Sequence, residues 1–272
     1  MIAPSFDWGP LLTGGPLFVG ILNLTPDSFS DGGRFLDLEA ALVQAEVLVR
    51  AGAGMLDLGA ESTRPGALPV DAATEWSRLG PVMAALTRAL PNVPLSLDTR
   101  HAEVARRGLG AGAAVINDVT GFSNPQMLDL ARTSSCGLIA MRSRKKGEAF
   151  HMPPYEDPAP RDAKAALAEL RIVRDRLLEA GIDKNRILLD PGFGFGTTYL
   201  EDLALWEGLP SLPETLGWPA ERICIGISRK RFLAARAGTP GLPPAQRDGL
   251  TAQAHAEALG WRYRVFRTHA IG

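Results

Sequence analysis

Short apolar segments alternate with longer stretches of helical spacing along the whole chain. Most of the apolar segments end at a polar residue, often an aspartate or an asparagine. This alternation predicts parallel strands joined by helices. The eight predicted strands are Leu17–Asn23, Met55–Leu58, Val93–Asp98, Ala114–Asn117, Gly137–Met141, Ile187–Asp190, Ile223–Ile227 and Tyr263–Arg267.

Eight strand–helix repeats predict an α/β fold that closes into a TIM (β/α)8 barrel. A doubly wound open sheet is the structural alternative. The helices are predicted at Leu38–Ala51, Asp71–Thr87 with Asp71 as the N-cap, Ala102–Gly108, Pro125–Arg132, Asp162–Ala180, Tyr199–Leu209, Phe232–Ala237 and Ala245–Leu259.

The end of the chain departs from the complete barrel pattern. No helical stretch follows the eighth predicted strand, so we expect a barrel that lacks its last helix. The N-terminal segment, a partner chain or a truncated chain would explain the uncovered flank. The composition does not shift along the chain, which predicts one barrel domain over residues 1–272. The polar and proline-rich segment Arg142–Pro160 is interpreted as a long mobile loop.

Composition and charge exclude several classes of function. The net charge of −1 gives no basic field for nucleic acid or anionic lipid, so neither is an expected partner. No apolar run is long enough to cross a membrane, and Met1–Pro10 does not resemble a signal peptide. A cytoplasmic protein is therefore expected. Cys136 and Cys224 lie in apolar runs, which is typical of buried strand thiols.

The segment Ile187–Gly196 reads Ile-Leu-Leu-Asp-Pro-Gly-Phe-Gly-Phe-Gly and carries the strongest local signal. Its apolar run predicts a strand buried on both faces, which ends at Asp190. Pro191 cannot continue the strand pairing, and the glycines that follow allow a ligand to approach the backbone closely. The aromatic rings, including Phe195, offer flat surfaces to a flat ligand. A structural turn with a capping aspartate is the alternative.

The active site of a barrel of this type lies where the carboxyl ends of its strands converge. The polar and pocket-lining residues at the predicted strand ends and in the loops beyond them are Asn23, Thr63, Arg64, Asp98, Asn117, Asp118, Met141, Asp190, Phe195, Ser228, Arg229, Lys230, Arg267 and His269. Each has a plain structural alternative: an aspartate caps a helix, and a lysine or histidine lies in solvent. His101, His151 and His255 are assigned to that structural class.

These residues suit two different kinds of ligand. The carboxylates and the amide of Asp98, Asn117 and Asp190 suit a flat heterocycle that presents adjacent N–H donors. The cations and amide of Asn23, Arg64, Arg267 and His269 suit a phosphate or diphosphate, with Mg²⁺ as an expected companion. Backbone N–H groups at Ser228 and Lys230 open a helix and would also attract an anion.

Several motifs resemble those of dihydropteroate synthases. The long stretch Gly20–Gly33, with the sequence Gly-Ile-Leu-Asn-Leu-Thr-Pro-Asp-Ser-Phe-Ser-Asp-Gly-Gly, is similar to the first signature of that family, and Asp57–Gly66 is similar to the second. The shorter motifs Ser96–Thr99, Ile116–Asp118, Leu189–Gly196, Ser228–Lys230 and Arg267–His269 follow in the family's order. The resemblance spans Phe18 to His269.

The resemblance implies an enzyme of folate biosynthesis that joins 7,8-dihydropterin-6-ylmethyl diphosphate to p-aminobenzoate and releases diphosphate. It implies a pterin site at Asp98, Asn117, Met141, Asp190, Phe195 and Lys230, a p-aminobenzoate and loop region at Thr63, Arg64, Pro65 and Ser228, and a diphosphate site at Asn23, Arg267 and His269. Mg²⁺ is expected at Asn23. Catalytic roles are expected for Asp98, Lys230, Arg267 and His269. A homodimer and inhibition by sulfonamides are also implied.

Four residues depart from the family's pattern. Ala60 stands where glycine is usual, Arg142 where histidine is common, Thr197 where lysine is common and Ala270 where aspartate is usual. Two other functions therefore remain open at this point. One is a pterin-binding paralogue without catalysis. The other is a pterin-dependent methyltransferase, which would have a similar acidic pocket but would need no diphosphate site.

Overall fold

Eight parallel strands form the centre of the molecule. The computed structural model describes residues 5–25, 33–62, 69–146, 149–150 and 162–271. The strands, here numbered β1 to β8, are Leu17–Asn23, Ala53–Gly59, Leu95–Asp98, Val115–Asp118, Gly137–Met141, Ile187–Asp190, Cys224–Ile225 and Val265–Thr268. Each of the eight lies at its predicted position, with ends that differ by no more than a few residues.

The order of strands in the sheet follows the order in the chain. β1 pairs with β2, each later strand up to β6 pairs with its predecessor, and β8 pairs with both β1 and β7. A parallel bridge between Leu189 and Ile223 joins β6 to the residue before β7 and closes the circle. The predicted TIM (β/α)8 barrel is therefore confirmed, and the open doubly wound sheet is wrong.

Helices cover the outside of the strands. The longer ones, α1 to α7, are Gly33–Arg50, Ala72–Ala89, Ala102–Gly110, Pro125–Thr133, Lys164–Glu179, Tyr199–Gly208 and Asp248–Gly260, and the short helix Arg231–Arg236 follows β7. Polar side chains begin several of them. Asp71 accepts hydrogen bonds from the backbone of Ala73 and Thr74, as its predicted N-cap role requires. Thr198 and Glu201 form a reciprocal capping box on α6.

The N-terminal segment closes the end of the barrel where the strands begin. Trp8 is fully buried among inward-facing residues, and its indole Nε1 donates to the carbonyl of Arg186 at 2.9 Å. The backbone N–H of Phe6 donates to Ser135, just before β5. The described part of this segment therefore does not cover the flank beside β8, which was one of its expected roles. Within the described chain no helix follows β8, and the last described residue is Ile271.

Two other expectations concern the chain as a whole. Cys136 and Cys224 are buried free thiols, as predicted. None of the helices in the described residues has the length and apolar character that a membrane crossing requires.

The interpretation of Arg142–Pro160 as a mobile loop is wrong at its start, because Arg142 is only 1% exposed. Residues 147–148 and 151–160 of that segment lie outside the described residues.

Candidate active site

The strand register places the predicted site residues along one rim of the barrel. Asn23 pairs with Gly59, Gly59 pairs with Asp98, and Asp98 pairs with Asn117, so these residues lie side by side across β1 to β4. Gly59 carries no side chain, and a Cβ there would lie 3.4 Å from that of Asp98. The glycine therefore leaves room between the amide of Asn23 and the carboxylate of Asp98.

Arg267 on β8 connects the acidic residues of this rim. Its Nε donates to Asp57 Oδ2 at 2.6 Å, and its Nη2 donates to Asp98 Oδ2 at 2.6 Å. Asn117 Nδ2 also donates to Asp57 Oδ2, at 2.9 Å. Burial tends to lower the pKa of Arg267, but the carboxylates of Asp57 and Asp98 outweigh burial and raise it. Arg267 is therefore a permanent cation held between two carboxylates.

Asp57 is a site residue that the sequence analysis missed. It lies inside β2, is fully buried, and its Oδ1 has no hydrogen-bond partner in the part of the chain that the structure describes. Burying a carboxylate inside an otherwise apolar strand costs free energy. The presence of Asp57 in such a strand was therefore the sequence signal that could have identified it as a site residue. Asp57 lies inside the predicted strand Met55–Leu58, so the pattern of polar residues at strand ends and in the loops beyond them did not indicate it.

The two carboxylates of the acidic pocket have raised pKa values. Burial raises the pKa of Asp98 to about 7, against the opposing effect of Arg267 and with support from the nearby charge of Asp57. Burial also raises the pKa of Asp190, although its Oδ1 accepts a bond from the N–H of Gly192 at 2.7 Å. Asp98 is thus set to exchange or share a proton with a bound ring near neutral pH, and burial favours the protonated form of Asp190 as well.

Apolar residues form one wall beside Asp190. Met141 pairs with Asp190 in the register of β5 and β6, and it packs with Phe195 and Val119 in a buried cluster. Lys230 Nζ lies 4.2 Å from the centre of the Phe195 ring, a cation–π arrangement. Burial lowers the pKa of Lys230 to about 8. The six residues predicted to hold the pterin ring are therefore on one rim, in contact or on neighbouring strands.

The other side of the rim contains Ser228 and His269. Ser228 Oγ lies 2.9 Å from His269 Nδ1 and also accepts from the backbone N–H of His269 at 3.1 Å. Burial lowers the pKa of His269 to about 3, and the cations Arg229 and Arg267 add to this effect. These effects favour the neutral imidazole of His269 over the cation expected from the sequence. A neutral imidazole can donate or accept a hydrogen bond.

Two of the sequence candidates have a structural role, and three others cannot be placed. Asp118 accepts hydrogen bonds from the backbone of Thr120 and Phe122, so its role is structural, although it caps a turn where the structural alternative predicted a helix cap. Arg229 forms an ion pair with Asp248, with Nε 2.7 Å from Oδ1, which fixes the loop to α7. Thr63, Arg64 and Pro65 lie outside the described residues.

The residues on either side of the gap at 63–68 are attached to Arg100 and His101, which follow β3. Arg100 donates two hydrogen bonds to the carboxylate of Glu61, at 2.7 and 2.8 Å. Glu61 in turn accepts from the backbone of Val70 at 3.1 Å, and His101 Nε2 lies 2.9 Å from the carbonyl oxygen of Val70. His101 is therefore structural, as expected. His255 is structural as well, because it is buried against the rings of Phe18 and Phe266.

Comparison with known proteins decides the family. The model of the pterin binding enzyme family matches residues 19–269. Dihydropteroate synthase of Mycobacterium leprae is 39% identical over 260 residues, which cover 93% of this chain and 88% of that protein. The chain belongs to the dihydropteroate synthase family. It is therefore a transferase of folate biosynthesis, and the methyltransferase alternative is wrong.

Further members of the dihydropteroate synthase family agree in sequence and in structure. The Bacillus subtilis synthase is 38% identical, over 85% of this chain and 75% of its own length. A Xanthomonas albilineans synthase with 4-aminobenzoic acid matches with a TM-score of 0.80 and 37% identity, over 95% of this chain and 89% of its own. The Anaplasma phagocytophilum synthase with bound 6-hydroxymethylpterin-monophosphate matches with a TM-score of 0.80 and 34% identity, over 94% of each chain.

Proposed function

We propose that this chain condenses 7,8-dihydropterin-6-ylmethyl diphosphate with p-aminobenzoate. We also propose that one group of rim residues binds the pterin ring and that another group binds the diphosphate. Asp98, Asn117 and Asp190 bind the edge of the pterin ring, and Phe195 and Lys230 cover its side. Arg267 and His269 bind the diphosphate. The observation that carries this division is the position of Arg267, which contacts Asp98 on the ring side and lies on the strand that leads to His269.

The chemistry follows from where charge develops. The bond between the pterin methylene carbon and the diphosphate oxygen breaks, and its electron pair leaves with the oxygen. Positive charge then spreads into the ring, where the carboxylate of Asp98 stabilises it. The guanidinium of Arg267 and a hydrogen bond from the neutral imidazole of His269 stabilise the departing diphosphate. The amine of p-aminobenzoate forms the new C–N bond and loses a proton.

Ser228 and the loop residues Thr63, Arg64 and Pro65 are proposed to receive p-aminobenzoate. Ser228 supports this role because it is close to His269, so an acceptor bound there would be next to the departing diphosphate. It also supports a role on the diphosphate side, since Ser228 and His269 share a hydrogen bond. Measuring KM for both substrates in Ser228→Ala separates the two roles. A change in the p-aminobenzoate KM alone supports the first.

Mg²⁺ is proposed to act together with the diphosphate, with the side-chain oxygen of Asn23 as its protein ligand. The described residues contain no group of three His, Cys, Asp or Glu side chains that could hold a metal ion. The side-chain amide oxygen of Asn23 is the kind of ligand that fits Mg²⁺, which usually keeps several waters and binds through few protein ligands plus substrate phosphates. When bound, Mg²⁺ supplies positive charge to the leaving diphosphate.

The decisive assay follows diphosphate release in the presence of Mg²⁺. Release that depends on both the pterin diphosphate and p-aminobenzoate is expected, and chelation of Mg²⁺ with EDTA should slow it strongly. No release from folded protein would reject the function. If calorimetry then detected pterin binding without turnover, the non-catalytic paralogue would be the correct interpretation.

We also propose that the enzyme is a cytoplasmic homodimer. The free buried thiols of Cys136 and Cys224 fit a reducing compartment. The dimer is supported by the family resemblance. Sedimentation or light scattering measures it directly, and a monomer at assay concentrations would refute it.

A further inference from the structure

Arg142 is a buried arginine that donates to three carbonyl groups of one loop. It follows Met141 at the end of β5 and is 1% exposed. Its Nε donates to Pro191 at 2.7 Å, its Nη2 to Gly192 at 2.9 Å and its Nη1 to Phe195 at 3.1 Å. The guanidinium therefore spans the Phe-Gly loop, defined here as residues 191–196, from its first residue to its fifth.

The backbone of Arg142 holds the same loop. Its N–H donates to the carbonyl of Asp190 at 3.2 Å. Gly192 has a φ of +67°, and a Cβ at Gly192 would collide with the carbonyl oxygen of Arg142. The loop thus packs directly on this residue, and only glycine fits at the point of contact.

Other contacts fix the far side of the Phe-Gly loop. Asp202 Oδ1 accepts from the N–H of Gly194 at 2.9 Å and from Thr197 Oγ1 at 2.6 Å. Arg144 donates to the carbonyl of Gly196 at 2.8 Å and forms an ion pair with Glu169. The loop is therefore held at both ends. Two of the carbonyls that Arg142 reaches also have a backbone donor, the N–H of Phe195 at 3.1 Å for Gly192 and the N–H of Arg144 at 3.3 Å for Phe195. Among the described contacts, the guanidinium of Arg142 alone joins these carbonyls to that of Pro191.

These contacts matter because the loop forms part of the proposed ring site. Phe195 is in the Phe-Gly loop, and the N–H of Gly192 bonds to the carboxylate of Asp190. Without the guanidinium, the buried carbonyl of Pro191 loses its donor, and the carbonyls of Gly192 and Phe195 keep one backbone donor each. The unpaired carbonyl incurs a desolvation penalty, so the loop would rearrange to reach water or another donor. The five N–H groups of a guanidinium serve three separate carbonyls, whereas the ammonium of a lysine is a compact point.

We propose that Arg142 is a positioning residue for pterin binding, which holds the Phe-Gly loop in the shape that presents Phe195 and Asp190 to the ring. The proposal rests on the pterin site proposed above. It predicts that replacing Arg142 weakens binding of the pterin substrate and leaves the affinity for p-aminobenzoate unchanged. A general contribution to folding would instead lower stability without this selectivity.

Arg186 provides a matched control. It is also buried, at 5% exposure, and it also donates to backbone carbonyls, those of Cys136 and Ala131, both at 2.8 Å. It lies just before β6, at the opposite end of the barrel from Arg142. Arg142→Lys and Arg186→Lys are thus the same change in the same kind of environment, and only one of them is next to the site.

The experiment compares both variants with the unchanged chain. Thermal unfolding measures stability, and calorimetry with 6-hydroxymethylpterin monophosphate measures affinity. Steady-state kinetics gives KM for each substrate. We expect Arg142→Lys to weaken pterin binding about tenfold or more, equivalent to about 1.4 kcal/mol, with the p-aminobenzoate KM within about twofold. Arg186→Lys should lower the melting temperature and leave pterin affinity within about twofold.

Three results would overturn the proposal. The first is unchanged pterin affinity in folded Arg142→Lys. The second is an equal loss of affinity in Arg186→Lys. The third is failure of both Arg142→Lys and Arg142→Gln to fold, since Arg142 would then serve the whole barrel. If the unchanged chain binds pterin but releases no diphosphate, the proposed reaction fails, while the affinity comparison still tests Arg142.

Discussion

Replacing Arg267 with methionine tests the charge balance of the rim. The substitution keeps a long side chain and removes the cation that lies between two carboxylates. Arg267 is 20% exposed, Asp57 is fully buried and Asp98 is 19% exposed, so solvent screens these pairs only weakly. Both hydrogen bonds are 2.6 Å long. Removing one partner of a buried ion pair typically costs about 3–5 kcal/mol of stability.

The loss of stability in Arg267→Met should depend on pH, and the direction of that dependence follows from the raised pKa of Asp98. A carboxyl group whose pKa is raised from 3.8 to about 7 in the folded chain binds more protons there than in the unfolded chain. Stability therefore falls as the pH rises between these two values. Without Arg267 the pKa of Asp98 rises further, so the variant goes on losing stability above pH 7. One further pKa unit up to pH 8 amounts to about 1.4 kcal/mol.

Urea unfolding at pH 5.5 and pH 8 measures both the loss of stability and its dependence on pH. We expect Arg267→Met to lose about 3–5 kcal/mol at pH 8 and roughly 1 kcal/mol less at pH 5.5. Arg236→Met is the control, because Arg236 pairs with Glu257 at the surface and both side chains are 39% exposed. Its loss should stay below about 1 kcal/mol at either pH. A loss that is equal at both pH values would refute the role assigned to Asp98.

Three further predictions concern the ring site. Asp98→Asn should lower turnover about a hundredfold while pterin affinity changes far less, because the carboxylate acts on charge that develops during the reaction; equal losses in both would show that it only binds the ring. Gly226→Ala places a Cβ 3.0 Å from Asp190 Oδ2 and should weaken pterin binding about tenfold. Gly249→Ala, whose new Cβ has nothing within 4 Å, should leave pterin binding unchanged. Calorimetry with both variants measures the difference in affinity. Pterin affinity should fall as the pH rises through about 8, where Lys230 loses its proton, and Lys230→Gln should remove this dependence; a titration that still falls at pH 8 in the variant would assign it to another group.

The fold could be predicted because its signal is local and repeated. Each buried strand is a short apolar run, so β1 and β5 begin and end at their predicted residues. The convergence of Asp98, Asn117 and Asp190 followed from the rule that parallel strands end on one face of a barrel. The resemblance to a known family then supplied the expected substrate and the expected role of each residue.

What the sequence did not reveal depends on contacts between distant parts of the chain. Burial and the positive charge of Arg229, which follows a different strand, lower the pKa of His269, and neither is visible in the Arg267–His269 motif itself. Arg142 was assigned to a polar loop because its own segment is basic, yet its partners lie about fifty residues further along the chain. Asp57 was overlooked because its partners, Asn117 and Arg267, come from other strands.

The position of the Trp8 indole, at the end of the barrel where the strands begin, has a consequence for how the substrates bind. With Trp8 filling that end and bonded to Arg186, the described residues leave the rim that carries Asp98 as the end at which substrates can bind. If both substrates bind at that rim, as proposed, they enter and leave from the same side of the barrel. We therefore expect the pterin ring, placed against the buried Asp190, to bind before the arylamine that would cover it.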